Sequence, residues 1–73
     1  MNGFVAQDSG ELRVDMMFSW FNRYGFCGLL VVDEIDGDII VAHFSDTYEV
    51  TEFDISNATR GWDTVLGVYA LLV

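Results

Sequence analysis

The sequence predicts a small all-β protein, and three observations lead to that prediction. The chain has 73 residues, which is enough for one domain and too few for two. Of these residues, 52% are hydrophobic, more than a disordered acidic chain contains. Short apolar runs rich in β-branched and aromatic residues recur between glycines and acidic residues, as in a protein built of short strands. We therefore expect residues 1–73 to form a single domain, with residues 1–10 as a candidate flexible N-terminal segment.

A β-hairpin in the middle of the chain is the clearest element. Two apolar runs, residues 26–32 and 39–44, flank the acidic segment 33–38. This segment contains the turn signal Asp36-Gly37. We expect two antiparallel strands joined by an exposed acidic turn.

Two further strands are expected in the C-terminal part of the chain. Tyr48 and Val50 fall among polar residues in rough alternation, as in a half-exposed strand, and a loop over residues 56–61 should follow. Residues 64–73 contain no charged side chain and several residues that favour strands, whereas Gly67 disfavours a helix this short. We expect a buried strand there.

Residues 16–24 decide between two fold classes. Ser19, Asn22 and Arg23 fall at helical spacing on one face, aromatic residues occupy the opposite face, and Gly25 could end a helix. Taken alone, this segment predicts a short helix packed on an antiparallel sheet. That arrangement is the α+β alternative to the all-β fold.

The charge balance is strongly acidic. Twelve Asp and Glu residues stand against three arginines, and the net charge is -9. Proteins that bind nucleic acid neutralise phosphates with Lys and Arg, so nucleic acid is an unfavourable partner. The acids could form a functional surface or could simply keep an apolar-rich domain soluble, and the sequence supports both interpretations equally.

No motif indicates catalysis, a metal or a cofactor. Cys27 and His43 are the only soft metal ligands, fewer than a zinc site needs, and no nucleophile elbow or phosphate-binding loop is present. The chain also has no apolar run of about 18 residues that could span a bilayer. We expect a cytoplasmic monomer that is not an enzyme and has no cofactor, small-molecule substrate or membrane partner.

Four short motifs occur in order along the chain: Trp20-Phe21-Asn22, Gly25-Phe26, Asp36-Gly37-Asp38 and His43-Phe44-Ser45. Through these motifs the sequence resembles the cold-shock domain family, and the resemblance covers about half of the chain. The resemblance implies a small antiparallel barrel of OB type, with a strand in place of the helix over residues 16–24.

The family binds single-stranded RNA or DNA on exposed aromatic side chains, and this chain retains only part of that set. Trp20, Phe26, His43 and Phe44 match the family pattern, whereas Gly28 falls where the pattern has an aromatic residue. A second aromatic and two lysines are replaced by Ile40, Ser19 and Tyr24. Losing two base stacks would weaken binding by roughly 2–6 kcal/mol. Cold-shock-type nucleic-acid binding is therefore an alternative function, and ordinary core packing explains the aromatic cluster equally well.

In its size, acidity and lack of lysine, the whole chain also resembles the small transcription regulators that lytic Xanthomonas phages direct against host RNA polymerase. The resemblance implies a protein of the host cytoplasm that binds bacterial RNA polymerase, inhibits initiation by the σ holoenzyme and allows terminator read-through. An acidic mimic of nucleic acid is a further alternative. The candidate partner-binding residues are Phe4, Val5, Trp20, Phe26, Asp33, Glu34, Asp36, Asp38, His43 and Phe44.

Overall fold

The computed structural model describes residues 2–7 and 10–73, and these residues form one sheet of seven strands. The strands are β1 (Phe4–Ala6), β2 (Met17–Asn22), β3 (Gly25–Asp36), β4 (Ile39–Phe44), β5 (Val50–Asp54), β6 (Thr59–Asp63) and β7 (Val68–Leu72). Their order in the sheet is β1-β6-β7-β2-β3-β4-β5, so β1 and β5 stand at its two ends. Neighbouring strands are antiparallel except for β2 and β7, which are parallel. The predicted all-β class is confirmed.

The helix proposed as an alternative for residues 16–24 is wrong, because this segment contains strand β2. β2 is a central strand that pairs with β3 on one side and with β7 on the other. The adjacent side chains Phe18 and Ser19 point to opposite sides of the sheet, and both are fully buried. The amphipathic helical pattern was therefore misleading, since tertiary pairing overrides local propensity. In the part of the chain that the structure describes, no helix could cross a membrane.

The predicted hairpin is confirmed, but its turn is shorter than expected. β3 runs on to Asp36, which pairs with Ile39, so only Gly37 and Asp38 form the turn. Gly37 has a φ of 57°, a value that favours glycine at the first position of a two-residue hairpin turn. Most of the acidic segment 33–38 therefore belongs to a strand.

The C-terminal elements also differ in detail from the prediction. Residues 64–67 form a turn, and the predicted strand over 64–73 is confined to β7. The loop expected over residues 56–61 is interrupted by β6, which pairs with β1 and β7. Tyr48 lies before β5 with a φ of 62° and is not part of a strand. Within the candidate N-terminal segment 1–10, Met1, Asp8 and Ser9 lie outside the described residues.

The main core lies on one side of the sheet and is filled by aliphatic and aromatic side chains. β2, β3, β4 and β7 contribute Phe18, Leu30, Val32, Ile40, Ala42, Tyr69 and Leu71, and the remaining members are Leu12, Phe53 and Ile55. Phe18 packs edge to face on Phe53, with ring centroids 5.9 Å apart. The strands that pack on this core carry most of the acids on their other side.

Candidate protein-binding surface

One face of the β3–β4–β5 meander carries four exposed carboxylates. Directly paired residues point to the same side of an antiparallel sheet, so the register defines which side chains share this face. Glu34 pairs with Val41, which pairs in turn with Glu52, and the three side chains form one row. The neighbouring row consists of Asp36, Ile39 and Asp54. We call these six residues the acidic face, in which an apolar column on β4 lies between two acidic columns.

A β-bulge at Asp33 turns the acids of β3 outward. The pairing passes from Val32 with Ala42 directly to Glu34 with Val41, so Asp33 has no backbone pairing partner on β4. Without this extra residue, Glu34 would follow Val32 onto the buried side, because side chains alternate along a strand. The bulge is therefore the local feature that creates the acidic face.

The acidic face is not neutralised within the chain. Adjacent strands lie about 4.8 Å apart, so the two acidic columns are roughly 10 Å apart, and the acids along one column are separated by about 7 Å. Across residues 2–7 and 10–73, the only ion pair joins His43 and Asp33. The four carboxylates of the face therefore present an uncompensated negative field to solvent.

His43 and Asp33 lie next to the acidic face and contact each other. His43 pairs with Val50 in the row beyond Val41. Its Nδ1 atom lies 2.8 and 2.9 Å from the two carboxylate oxygens of Asp33. The imidazole also stacks on the ring of Tyr48, with centroids 5.8 Å apart and an interplanar angle of 20°. Two candidate residues that are ten positions apart in sequence are thus brought together at one end of the face.

Asp54 is held at the other end of the face by the residue two positions later. The Ser56 hydroxyl and the Ser56 amide donate hydrogen bonds of 2.7 and 3.0 Å to Oδ1 of Asp54. These bonds lower the pKa of Asp54, so its carboxylate is ionised at neutral pH. The charge of Asp54 is therefore fixed in position as well as in sign.

Trp20 and Phe44 lie on the core side of the sheet. The Trp20 ring centroid is 5.1 Å from that of Phe53 and 6.3 Å from that of Phe44. The Phe44 ring covers Gly28, where a methyl group would lie 2.5 Å from it. The indole N–H of Trp20 is buried and has no hydrogen-bond partner. Both aromatic residues therefore contribute to packing.

Phe4 and Phe26 pack on the opposite side of the sheet, around Phe21. The Phe21 ring centroid is 5.4 Å from that of Phe4 and 5.7 Å from that of Phe26. Phe26 is nevertheless 54% exposed, and Val5 on β1 is 45% exposed. Both residues leave apolar surface open to solvent. Val5 lies on the end strand β1, whereas Phe26 lies at the start of β3, whose other end carries Glu34 and Asp36 of the acidic face.

No protein-family model, curated protein or solved structure matches this chain. The interpretation of its surface therefore rests on the residues and their geometry. The structure places Glu34 and Asp36 on the acidic face, Asp33 beside it and Asp38 in the adjoining turn. It does not unite the aromatic candidates into one exposed platform.

Asp63 is a structural residue that sequence reasoning missed. Its side chain is 2% exposed, and Oδ1 accepts hydrogen bonds of 2.8 and 3.0 Å from the amides of Val65 and Leu66. Oδ2 accepts a third bond from Ser19. An aspartate shortly before a glycine turn is a signal for such side-chain-to-backbone bonds, but the partnership with Ser19 has no local signal.

Proposed function

We propose that this protein is an acidic, protein-binding transcription regulator that docks on bacterial RNA polymerase and inhibits initiation by the σ holoenzyme. In the same proposal, its presence on the polymerase allows read-through of terminators. The observation that carries the proposal is the acidic face, with its apolar column between two columns of carboxylates. Polymerase supplies the complementary chemistry, because a machine that handles nucleic acid exposes basic surface.

The composition of the acidic face suits a protein partner. Ile39 is 38% exposed, and Val41 beside it is half-buried, so the face contains apolar area that a partner could cover. Protein interfaces combine a desolvated apolar centre with a polar rim, and opposite charges at the rim accelerate association. The flanking acids Glu34 and Glu52 would form such a rim.

Cold-shock-type binding of single-stranded RNA is the weaker alternative. Base stacking needs exposed aromatic faces, whereas Trp20 and Phe44 pack against each other and the core. The net charge of -9 adds long-range repulsion of phosphates. These two features favour a protein partner over nucleic acid.

The OB-type assignment belongs to the same proposal. In its support, β2, β3 and β4 form a consecutive antiparallel meander that carries the three aromatic motifs of the resemblance. We propose that the sheet is a variant of this architecture in which the nucleic-acid surface has been replaced by an acidic one.

A capture experiment tests the proposal. Tagged protein is incubated with a nuclease-treated bacterial lysate, the bound proteins are identified by mass spectrometry, and a gel-shift assay on single-stranded RNA is run in parallel. We expect recovery of the polymerase subunits and no shift of the RNA. A salt-sensitive RNA shift without polymerase recovery would contradict the proposal and support the cold-shock alternative.

A nucleic-acid mimic is the second candidate, and the regular columns of carboxylates on β3 and β5 favour it. A mimic would occupy the DNA-binding channel of the polymerase, whereas a regulator bound elsewhere would leave that channel free. Competition with promoter DNA for the purified σ holoenzyme separates the two, since only a mimic is displaced by DNA.

A further inference from the structure

A cleft of about 440 Å³ opens at the start of β3, beyond the Asp33–His43 end of the acidic face. Its apolar lining includes Phe26 and Phe44, and its polar lining includes the carboxyl-bearing residues Asp46 and Glu49. Cys27, the single cysteine of the chain, also lines it and is half-buried. The residues around the cleft thus include two aromatic and two acidic ones.

The segment that carries both acids is fixed by backbone hydrogen bonds. The amide of Ser45 donates to the carbonyl of Leu29 at 2.9 Å, which anchors the segment to β3. The amide of Phe44 donates to the carbonyl of Glu49, also at 2.9 Å, and closes the loop between them. The backbone that carries Asp46 and Glu49 is therefore positioned before any partner arrives, which reduces the entropy lost on binding.

Asp46 and Glu49 are exposed residues, and within the described part of the chain neither carboxylate lies in salt-bridge contact with a basic side chain. A cation from a partner can therefore approach them without displacing one from the chain. Guanidinium suits this cleft better than ammonium, because it is planar, stacks on aromatic rings and bonds carboxylates through two N–H groups.

We propose that this cleft binds an arginine side chain of the protein partner, with the guanidinium between the aromatic lining and the carboxylates of Asp46 and Glu49. The proposal rests on the proposed function in that it presumes a partner with a basic surface. The cleft adds a specific contact to that function. The acidic face supplies long-range attraction, whereas the cleft selects arginine over lysine.

The test uses two short peptides, acetyl-Gly-Arg-Gly-amide and acetyl-Gly-Lys-Gly-amide, at equal ionic strength. Each is titrated into the ¹⁵N-labelled full chain, and amide shifts are followed by NMR. We expect the arginine peptide to shift amides of residues 26–29 and 44–49 and to bind at least about threefold more tightly than the lysine peptide. Shifts that map to the acidic face, or equal binding of both peptides, would overturn the proposal.

Matched double variants distinguish binding in the cleft from a general effect of net charge. Asp46→Asn with Glu49→Gln should weaken binding of the arginine peptide at least about fivefold, whereas Glu11→Gln with Asp15→Asn removes the same charge from exposed positions elsewhere and should change binding less than twofold. Phe26→Leu should bring the affinities for the two peptides closer together. Equal losses in both double variants would overturn the cleft as the site.

The thiol of Cys27 provides a second readout. Arginine peptide near saturation should slow alkylation of Cys27 by iodoacetamide at least about twofold, and an unchanged rate would count against occupancy of the cleft. Neither measurement involves polymerase. Arginine binding without polymerase capture would refute the proposed function alone, whereas polymerase capture without arginine binding would refute the cleft alone.

Discussion

The hydroxyl of Ser19 donates a 2.6 Å hydrogen bond to the buried carboxylate of Asp63, 44 residues later in the chain. The bond joins central strand β2 to the end of β6. Burial raises the pKa of Asp63, but the Ser19 bond and the amides of Leu66 and Val65 outweigh it and hold the pKa below its ordinary value. A buried carboxylate is therefore kept ionised by hydrogen bonds alone, with no cation beside it among the described residues.

Ser19→Ala should destabilise the protein by about 1.5–3 kcal/mol, because it removes a hydrogen bond to a buried charged group. The free energy of unfolding is measured by urea denaturation. Ser56→Ala is the matched control, since its hydroxyl bonds the exposed carboxylate of Asp54 and should contribute less than about 1 kcal/mol. Equal losses for the two variants would show that burial adds nothing to the Ser19 bond.

The stability difference between the wild type and Asp63→Asn should depend on pH. Because the folded-state pKa of Asp63 is lowered, its stabilising contribution is complete above the unfolded value of about 3.9 and is lost as pH falls through the lower folded value. Urea denaturation of both proteins from about pH 7 downward measures this difference. We expect it to be constant above about pH 5 and to shrink below about pH 4. A difference that stays constant into strong acid would contradict the assigned ionisation.

Gly61→Ala should destabilise the protein by about 1–3 kcal/mol and loosen β1, because overpacking forces neighbouring backbone apart. A methyl group at Gly61 would overlap the carbonyl oxygen of Val5 and lie 2.8 Å from the Phe4 ring. Hydrogen exchange of the amides of residues 4–6 reports on β1 directly. Unchanged hydrogen exchange and an unchanged free energy of unfolding would mean that the contact between β1 and Gly61 leaves room for a methyl group.

Trp20→Ala should cost about 3 kcal/mol of stability, because the indole packs on Phe44 and Phe53 and its removal leaves a cavity. Phe26→Ala should cost about 1 kcal/mol, since Phe26 is 54% exposed and has one close aromatic neighbour in Phe21. Thermal unfolding of the two variants measures the contrast. A small loss for Trp20→Ala would indicate that its ring is available for a ligand after all.

The central hairpin was predictable because its signals are local. The Asp36-Gly37 pair and the apolar runs on each side specify β3 and β4 without reference to the rest of the chain. In contrast, β6 was missed because Gly61 and Arg60 show no strand pattern. The glycine is required by the close approach of β1, and that contact spans most of the chain.

The acidic face was only partly predictable. The sequence shows two acidic clusters, over residues 33–38 and 46–54, but their relative position depends on the register of β4 between them. It also depends on the bulge at Asp33, which decides whether Glu34 points to the core or to solvent. Bulge positions have no reliable sequence signal, so the juxtaposition of Glu34 with Glu52 becomes visible only in the structure.

The affinity of purified bacterial RNA polymerase for two charge-matched variants shows whether the acidic face is the binding surface. Glu34→Gln with Glu52→Gln removes two carboxylates from the acidic face, and Glu11→Gln with Asp15→Asn removes two exposed carboxylates elsewhere. If the acidic face binds polymerase, the first variant loses about tenfold or more in affinity, corresponding to about 1.4 kcal/mol, and the second stays within about twofold of the wild type. Equal small losses in both variants would contradict binding through the acidic face, because they would show that the acids act only through the net charge of the protein.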